Sequence, residues 1–228
     1  MSGGGIRFEY RPLPDLDRAF IERLGDYPRG PDIGLEVLRA IGRSLAVALF
    51  RLQFRLEVVG RPPELPRVAM AANHASHLDT LAVLAALPRR HGRGLAVLAA
   101  RDYFFRRWER AAAAALVAQA VAFDRQRYTE LREWSRRLAA QQRGCLLFYP
   151  SGSRRERRAQ RGMLLVVARS GWPLVPVAIS GTREAWPVGA RVWRPFRRIR
   201  VVFGEPLTDV PAAEVEQRLE AFWREHAG

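Results

Sequence analysis

The sequence contains no lysine; all 38 of its basic residues are arginine. The formal net charge of +15 at pH 7 is therefore carried wholly by guanidinium groups. These suit planar, bidentate contacts with anions, although a high-GC genome produces the same bias. The charge points to acidic partners, whether phosphate-bearing metabolites, nucleic acid or an anionic membrane surface, and composition does not choose among them. Cysteine is nearly absent. The single Cys145, in the apolar run CLLFY at 145–149, excludes a disulfide framework within the chain and a cysteine zinc cluster. It reads as a small core residue.

Other features are missing as well. MSGGGIRFEYRPLPD at the start lacks the apolar core of a secretory signal, so none is expected. Near the N-terminus the longest uncharged stretch, Ser44 to Phe50, is far short of the roughly 20 residues that cross a bilayer. The phosphate loop GxxxxGK[ST] and the nucleophile elbow GxSxG do not occur. No basic strand studded with aromatics is present to stack bases, so nucleic acid is not an expected partner. Neither internal repeats nor a linker divide the 228 residues. The expected organisation is an N-terminal arm at 1–32, flexible because it mixes glycine, proline and charge, followed by one domain at 33–228.

The chemistry-bearing residues gather at 68–87, VAMAANHASHLDTLAVLAAL. Val68 to Ala72 is a short apolar run that reads as a buried strand, and Leu78, Leu81, Leu84 and Ala85 recur at helical spacing. Between them stand Asn73, His74, Ser76, His77 and Asp79. Ser76 followed by Asp79 has the form of a capping box, which sets the helix start at Ser76. Along one continuous helix His74 and Asp79 would diverge by roughly 140°. With Ser76 as the cap, His74 lies outside the helix and is able to fold back onto the carboxylate. That pairing would leave the other ring nitrogen as a general base. The alternative is structural: Asp79 favours a helix N-terminus, and His74 is a satisfied turn residue.

From Ile33 to about Leu56, the residues Leu38, Ile41, Leu45, Leu49, Leu52 and Leu56 fall within roughly 80° of one another at helical spacing, with Arg39, Arg43, Arg51 and Arg55 on the other side. Two readings stand. The leucine stripe packs on the protein's own sheet, or it lies in an anionic membrane with arginines at the headgroups.

Beyond this helix, strands are expected at Phe54–Val59, Arg67–Ala72, Leu95–Ala100, Ala115–Phe123, Cys145–Tyr149, Leu174–Ser180 and Ile199–Phe203. Helices are expected at Leu78–Leu87, Tyr103–Ala113, Tyr128–Arg143, Gly162–Ser170 and Ala213–Ala227. The alternation predicts a single α/β domain with a mainly parallel or mixed central sheet flanked by helices. Ligands of such sheets bind beyond the carboxyl ends of strands. Three such ends carry His74, Arg125 and Arg154. In Ser151 to Gly162, small residues would let amides approach an anion and Arg154 would add a donor fork, while Arg155, Arg157 and Arg158 read as a solvated charge run.

NHASHLD at 73–79, VAFDR at 121–125, YPSGSRR at 149–155 and PLVPVAISGTREA at 173–185 resemble, in order and spacing, the four motif blocks of the PlsC-like (1-acylglycerol-3-phosphate acyltransferase) glycerolipid acyltransferases. The resemblance spans about Val68 to Leu207. It implies a catalytic dyad of His74 and Asp79. It also implies an acceptor site of Arg125, Gly152, Ser153 and Arg154, with Pro176 and Val177 as support. The chain departs from the pattern at Ser151, which stands where the family usually has glutamate. Ser153 replaces threonine, and the aromatic that commonly precedes a basic residue and glycine is missing at Ala159-Gln160-Arg161-Gly162. Ser151 is thus a candidate substrate contact with altered chemistry.

The resemblance implies transfer of a fatty acyl group from acyl-CoA or acyl-carrier protein to the hydroxyl of a lysophospholipid. The expected enzyme needs no metal or other cofactor and acts as a peripheral, monotopic protein at the cytoplasmic side of an anionic membrane. Two readings from other classes accompany it: a hydrolase with Ser151 as nucleophile and His74 as base, and a non-catalytic module binding anionic lipid.

Overall fold

Val68 to Ala72 alternates between two apolar layers: Val68, Met70 and Ala72 pack in one, Ala69 and Ala71 in the other, and all five are fully buried. Burial on both faces is why this strand reads as an unbroken apolar run. The computed structural model describes residues 33–88, 94–100, 117–118, 120–123, 128–151, 161–208 and 210–227. The expected arm at 1–32, the expected helix Tyr103–Ala113, and Arg125, Gly152, Ser153 and Arg154 lie outside the described residues.

The described strands are β1 Arg55–Val59, β2 Arg67–Ala72, β3 Leu95–Ala100, β4 Ala120–Phe123, β5 Gly144–Phe148, β6 Leu174–Ser180 and β7 Arg198–Phe203. The described helices are α1 Ile33–Gln53, α2 Leu78–Ala86, α3 Tyr128–Ala140, α4 Arg161–Ser170, α5 Thr182–Ala185 and α6 Ala212–His226. The strands form one sheet in the order β1-β7-β6-β2-β5-β3-β4. Pairing is parallel except between β6 and β7, so β7 and β1 run against the rest. The carboxyl ends of β2, β3, β4, β5 and β6 consequently leave the sheet at one edge, which the starts of β7 and β1 share. On one face Phe50, Phe54, Leu78, Ala82 and Val83 cover the sheet; on the other, Trp134, Leu138, Leu164, Val167, Leu219 and Trp223 do. This is the expected α/β domain with a mixed sheet between helices.

Several expected ends shift by one residue, and α3 ends at Ala140 where Arg143 was expected; two further differences have a readable cause. The strand expected at Ala115–Phe123 is confined to Ala120–Phe123, and residues 117–118 are helical. Alanine-rich chain favours helix unless a sheet partner captures it, and among the described residues of this stretch Ala120–Phe123 pairs with β3. The helix expected to reach Leu56 stops at Gln53. The Phe54 amide still donates to Phe50 O at 2.9 Å, and the next amide, Arg55, donates instead to Arg197 O at 3.0 Å as β1 begins.

The orientation of α1 is the larger finding. Its leucine stripe does not pack on the sheet: Leu38, Ile41, Leu45, Leu49 and Leu52 are 49–71 % exposed. The arginine side turns inward. Arg39 is buried and paired with Glu36 at 2.6 Å. Arg43 Nε donates to Val117 O at 3.3 Å, and burial lowers the pKa of its guanidinium. Arg51 Nη2 donates at 2.6 Å to Ala85 O in the last turn of α2, where a cation suits the carbonyl end of a helix. Phe50 and Phe54 supply the buried apolar contacts.

Candidate active site

The turn after β2 differs from the expected capping box: α2 is capped at His77, one residue beyond Ser76, with no side-chain cap bond. Ser76 Oγ accepts from the Leu78 amide at 3.3 Å, and Asp79 Oδ2 accepts from the Ser76 amide at 2.8 Å, so the two side chains still tie the turn to the start of the helix. The turn closes His74 onto the same carboxylate: His74 Nδ1 stands 2.8 Å from Asp79 Oδ2, and the Ala75 amide donates to that oxygen at 2.7 Å. A carboxylate only accepts, so in the neutral imidazole this contact calls for the tautomer protonated on Nδ1, with the lone pair on Nε2. His74 is 17 % exposed and Asp79 fully buried.

Asp79 has a fourth donor, from a distant part of the chain. Thr182 Oγ1, at the start of α5, donates to Asp79 Oδ1 at 2.5 Å. Four donors on two oxygens, together with the helix N-terminus, compensate a charge that would otherwise be costly to bury. α5 is held against the turn by Ser76 Oγ, which donates to Trp186 O at 2.9 Å. Asn73 ties the carboxyl ends of β2 and β6 together, donating from Nδ2 to Ile179 O at 2.8 Å and accepting from the Ile179 amide at Oδ1 at 2.7 Å. Its role is architectural. Gly181 makes the turn between β6 and α5 at φ 81°, and a Cβ there would lie 2.1 Å from Arg198 O.

Tyr149 stacks on the imidazole, with ring centroids 4.2 Å apart and an interplanar angle of 23°. Its hydroxyl lies 2.8 Å from Thr80 Oγ1. Burial raises the Tyr149 pKa well above the ordinary phenol range; the Asp79 charge adds to the rise and the Thr80 hydrogen bond opposes it. Tyr149 is therefore a fixed neutral wall for His74.

His74 opens into a cleft of about 1210 Å³ that also contains Ser151 and Thr182. Of the expected site residues, the structure brings together His74, Asp79 and Ser151, the last of them buried. The expected contacts Arg125 and Arg154 follow β4 and β5, whose carboxyl ends share the edge occupied by His74. The same cleft is lined by Arg183 of α5, Arg197 just before β7, Arg198 and Arg200 of β7, and Arg224 of α6, against Glu57, Glu184 and Glu220. Sequence reasoning missed these arginines, because in a chain with 38 arginines none stands out. It also missed Thr182 and the stack on Tyr149. Both lie in quoted motif blocks, the only signal that could have found them.

A base, a carboxylate that orients it and a cationic cleft beside them are the parts needed to deprotonate a hydroxyl on an anionic substrate. A family model described as Acyltransferase matches residues 55–180 of the chain. The fold is similar to that of the 1-acyl-sn-glycerophosphate (LPA) acyltransferase PlsC from Thermotoga maritima, with a TM-score of 0.61 and 19 % identity over 84 % of this chain and 77 % of that one. No curated protein sequence matches the chain.

Proposed function

The chain belongs to the acyltransferase family, and from that premise we propose that it moves a fatty acyl group from a thioester, acyl-CoA or acyl-carrier protein, to the hydroxyl of a lysophospholipid such as 1-acylglycerol-3-phosphate. The observation that carries this reading is the 2.8 Å bond between His74 Nδ1 and buried Asp79 at the mouth of an arginine-lined cleft.

His74 Nε2 takes the acceptor's hydroxyl proton as the oxygen attacks the thioester carbonyl. Asp79 stabilises the imidazolium that forms. The C–S bond breaks as the tetrahedral intermediate collapses, and the imidazolium returns the proton to the departing thiolate. The proton balance closes on His74 with no cofactor. Arg125 and Arg154, with Gly152 and Ser153, hold the acceptor's phosphate and aim its hydroxyl, a positioning effect that supplies several kcal/mol of a barrier. Ser151, in place of the family's glutamate, adds a neutral hydroxyl to that contact and alters which headgroups are accepted. Arg183, Arg198 and Arg224, which line the cleft, draw in the donor's phosphates.

The substrates fit an enzyme seated on an anionic membrane from the cytoplasmic side. Supporting this are the exposed leucines of α1 and the +15 charge. Among the described residues no helix is long and apolar enough to cross a membrane, and the seating proposed is a peripheral one.

The deciding experiment follows thiol release from long-chain acyl-CoA, and the acylated product by mass spectrometry, across a panel of lysophospholipids for wild type and His74→Ala. Release that needs both His74 and an added lysophospholipid is expected. Free fatty acid formed without an acceptor would make the protein a hydrolase. A variant without His74 that retained wild-type turnover would overturn the mechanism.

A further inference from the structure

Between α5 and β7 the chain runs WPVGARVWRPFR, residues 186–197, with neither helix nor strand. It holds large apolar groups in solvent: Val192 is 74 % exposed, Phe196 68 % and Trp193 47 %. Arg191, Arg194 and Arg197, all exposed, alternate with them. The loop is built to keep this arrangement. Trp186 Nε1 donates to Ala190 O at 2.9 Å, the Arg194 amide to Ala185 O at 2.7 Å, and the Trp193 ring meets the Trp186 ring edge-on at 5.7 Å. Phe196 is the one non-glycine among the described residues with positive φ, 61°. That conformation is unfavourable for a bulky residue and persists only where its surroundings impose it. Its amide donates to Gln53 O at 2.6 Å.

We infer that the 186–197 loop is a second membrane-inserting element, with Val192, Trp193 and Phe196 at the acyl boundary of an anionic bilayer and Arg191, Arg194 and Arg197 on the lipid phosphates. The inference rests on the membrane seating proposed above and adds to it the route from the bilayer to the catalytic turn. Three observations select a bilayer as occupant. The loop joins the end of the α1 stripe: Phe196 and Trp193, whose Nε1 lies 3.4 Å from Gln53 Oε1, both bond to Gln53, next to 71 % exposed Leu52. Apolar and aromatic groups interleaved with arginines match the acyl and phosphate layers of an interface, whereas a protein partner would need a matching acidic, apolar groove. Finally, the loop is wired to the chemistry, because Trp186 O accepts from Ser76 Oγ and the Trp186 ring faces His77 at 5.9 Å. A lipid leaving the bilayer at this loop arrives beside the turn that carries His74.

Cys145 is buried, so a thiol-reactive fluorophore attaches only to an introduced cysteine. Val192→Cys and Trp193→Cys, labelled with nitrobenzoxadiazole, are titrated with phosphatidylglycerol-containing vesicles and with pure phosphatidylcholine vesicles. Glu133→Cys on α3 serves as the solvent control. The expected result is a blue shift and a several-fold brightening at 192 and 193 on anionic vesicles, reduced by high salt and absent at 133. Labels that stay in water while the protein floats with the vesicles would overturn the inference and leave α1 as the sole anchor. A blue shift without vesicles, with a doubled mass in light scattering, would make the loop a contact between two copies of the chain. In parallel, Val192→Ser/Trp193→Ser is expected to lose at least tenfold in activity toward vesicle-borne acceptor and nothing toward a short-chain, water-soluble one. Equal losses on both would assign the loop to the catalytic turn and overturn the inference. If no acceptor is turned over by wild type, the transferase reading fails, and the labels still decide the loop.

Discussion

The Thr182 hydroxyl donates to the Asp79 carboxylate at 2.5 Å across 103 residues of chain. The other three donors to Asp79 come from residues 74–76, so Thr182 joins the Asp79 turn to the connection that follows β6, beside the Ser76–Trp186 bond. Thr182→Val keeps the shape and removes this donor to a buried charge, a bond worth about 2 kcal/mol. The expected outcome is a drop of about tenfold or more in kcat and a Tm lower by about 4–8 °C, with Thr182→Ser restoring both. Steady-state kinetics and thermal melts check it.

Tyr149 touches His74 through its face and Thr80 through its hydroxyl, and the two contacts are separable. Tyr149→Phe keeps the stack and is expected to stay within about threefold of wild-type kcat. Tyr149→Ala frees the imidazole plane and is expected to lower kcat by about tenfold or more with KM little changed, since a loosened base loses orientation and not substrate affinity. Equal effects of the two substitutions would show that the stack does not position His74.

The arginines of the cleft act on charge. Arg198→Glu/Arg224→Glu is expected to raise the KM for acyl-CoA by about tenfold and weaken its salt dependence, leaving kcat near wild type. The KM for acyl-pantetheine, which lacks the nucleotide phosphates, should not move. A parallel rise for both donors would place the arginines' influence elsewhere.

Gly181 is irreplaceable on geometry. Alanine there brings Cβ within 2.1 Å of Arg198 O at φ 81°, a backbone clash that no side-chain rotation relieves. Gly181→Ala should destabilise by about 3 kcal/mol or more, read as a Tm loss of about 6–12 °C or as insoluble protein.

Cys145 of β5 is buried in the apolar core beside Val68 and Leu147, and that burial pushes its thiol up to about 12 from an ordinary value of 9.0. It is therefore protonated at ordinary pH and inert, since the thiolate is the reactive form. A disulfide exchange reagent should find no thiol in the native protein and one in denaturant. The unfolded thiol ionises first as pH rises, so this group's contribution to stability is complete below about pH 9 and is lost progressively toward pH 12.

Strands β2, β3 and β6 begin and end at the residues expected for them, Arg67–Ala72, Leu95–Ala100 and Leu174–Ser180. Strands buried on both faces in a parallel sheet are continuous apolar runs whose limits are set by composition alone. The closure of His74 onto Asp79 was also legible, because the two lie on either side of a short turn that brings them together within five residues. The orientation of α1 was not. An amphipathic pattern defines two faces without saying which one meets the protein, and here Arg43 and Arg51 find backbone carbonyls at Val117 and Ala85 that no local rule reveals.

By itself the sequence determined the features that depend on near neighbours: most of the strands and helices, the α/β alternation, and a histidine folded onto an aspartate five residues on. The tertiary structure decided what depends on distant chain segments. It set Thr182 against Asp79, gathered arginines from α5, β7 and α6 around one cleft, and turned the leucines of α1 and the aromatics of 186–197 outward. The arginines of β7 reach the cleft because β7 pairs antiparallel to β6, bringing the start of one strand to the end of the other, while Thr182 reaches Asp79 because β6 lies beside β2. Such a pairing is chosen by the energy of the whole packed chain and is written in no single stretch of it.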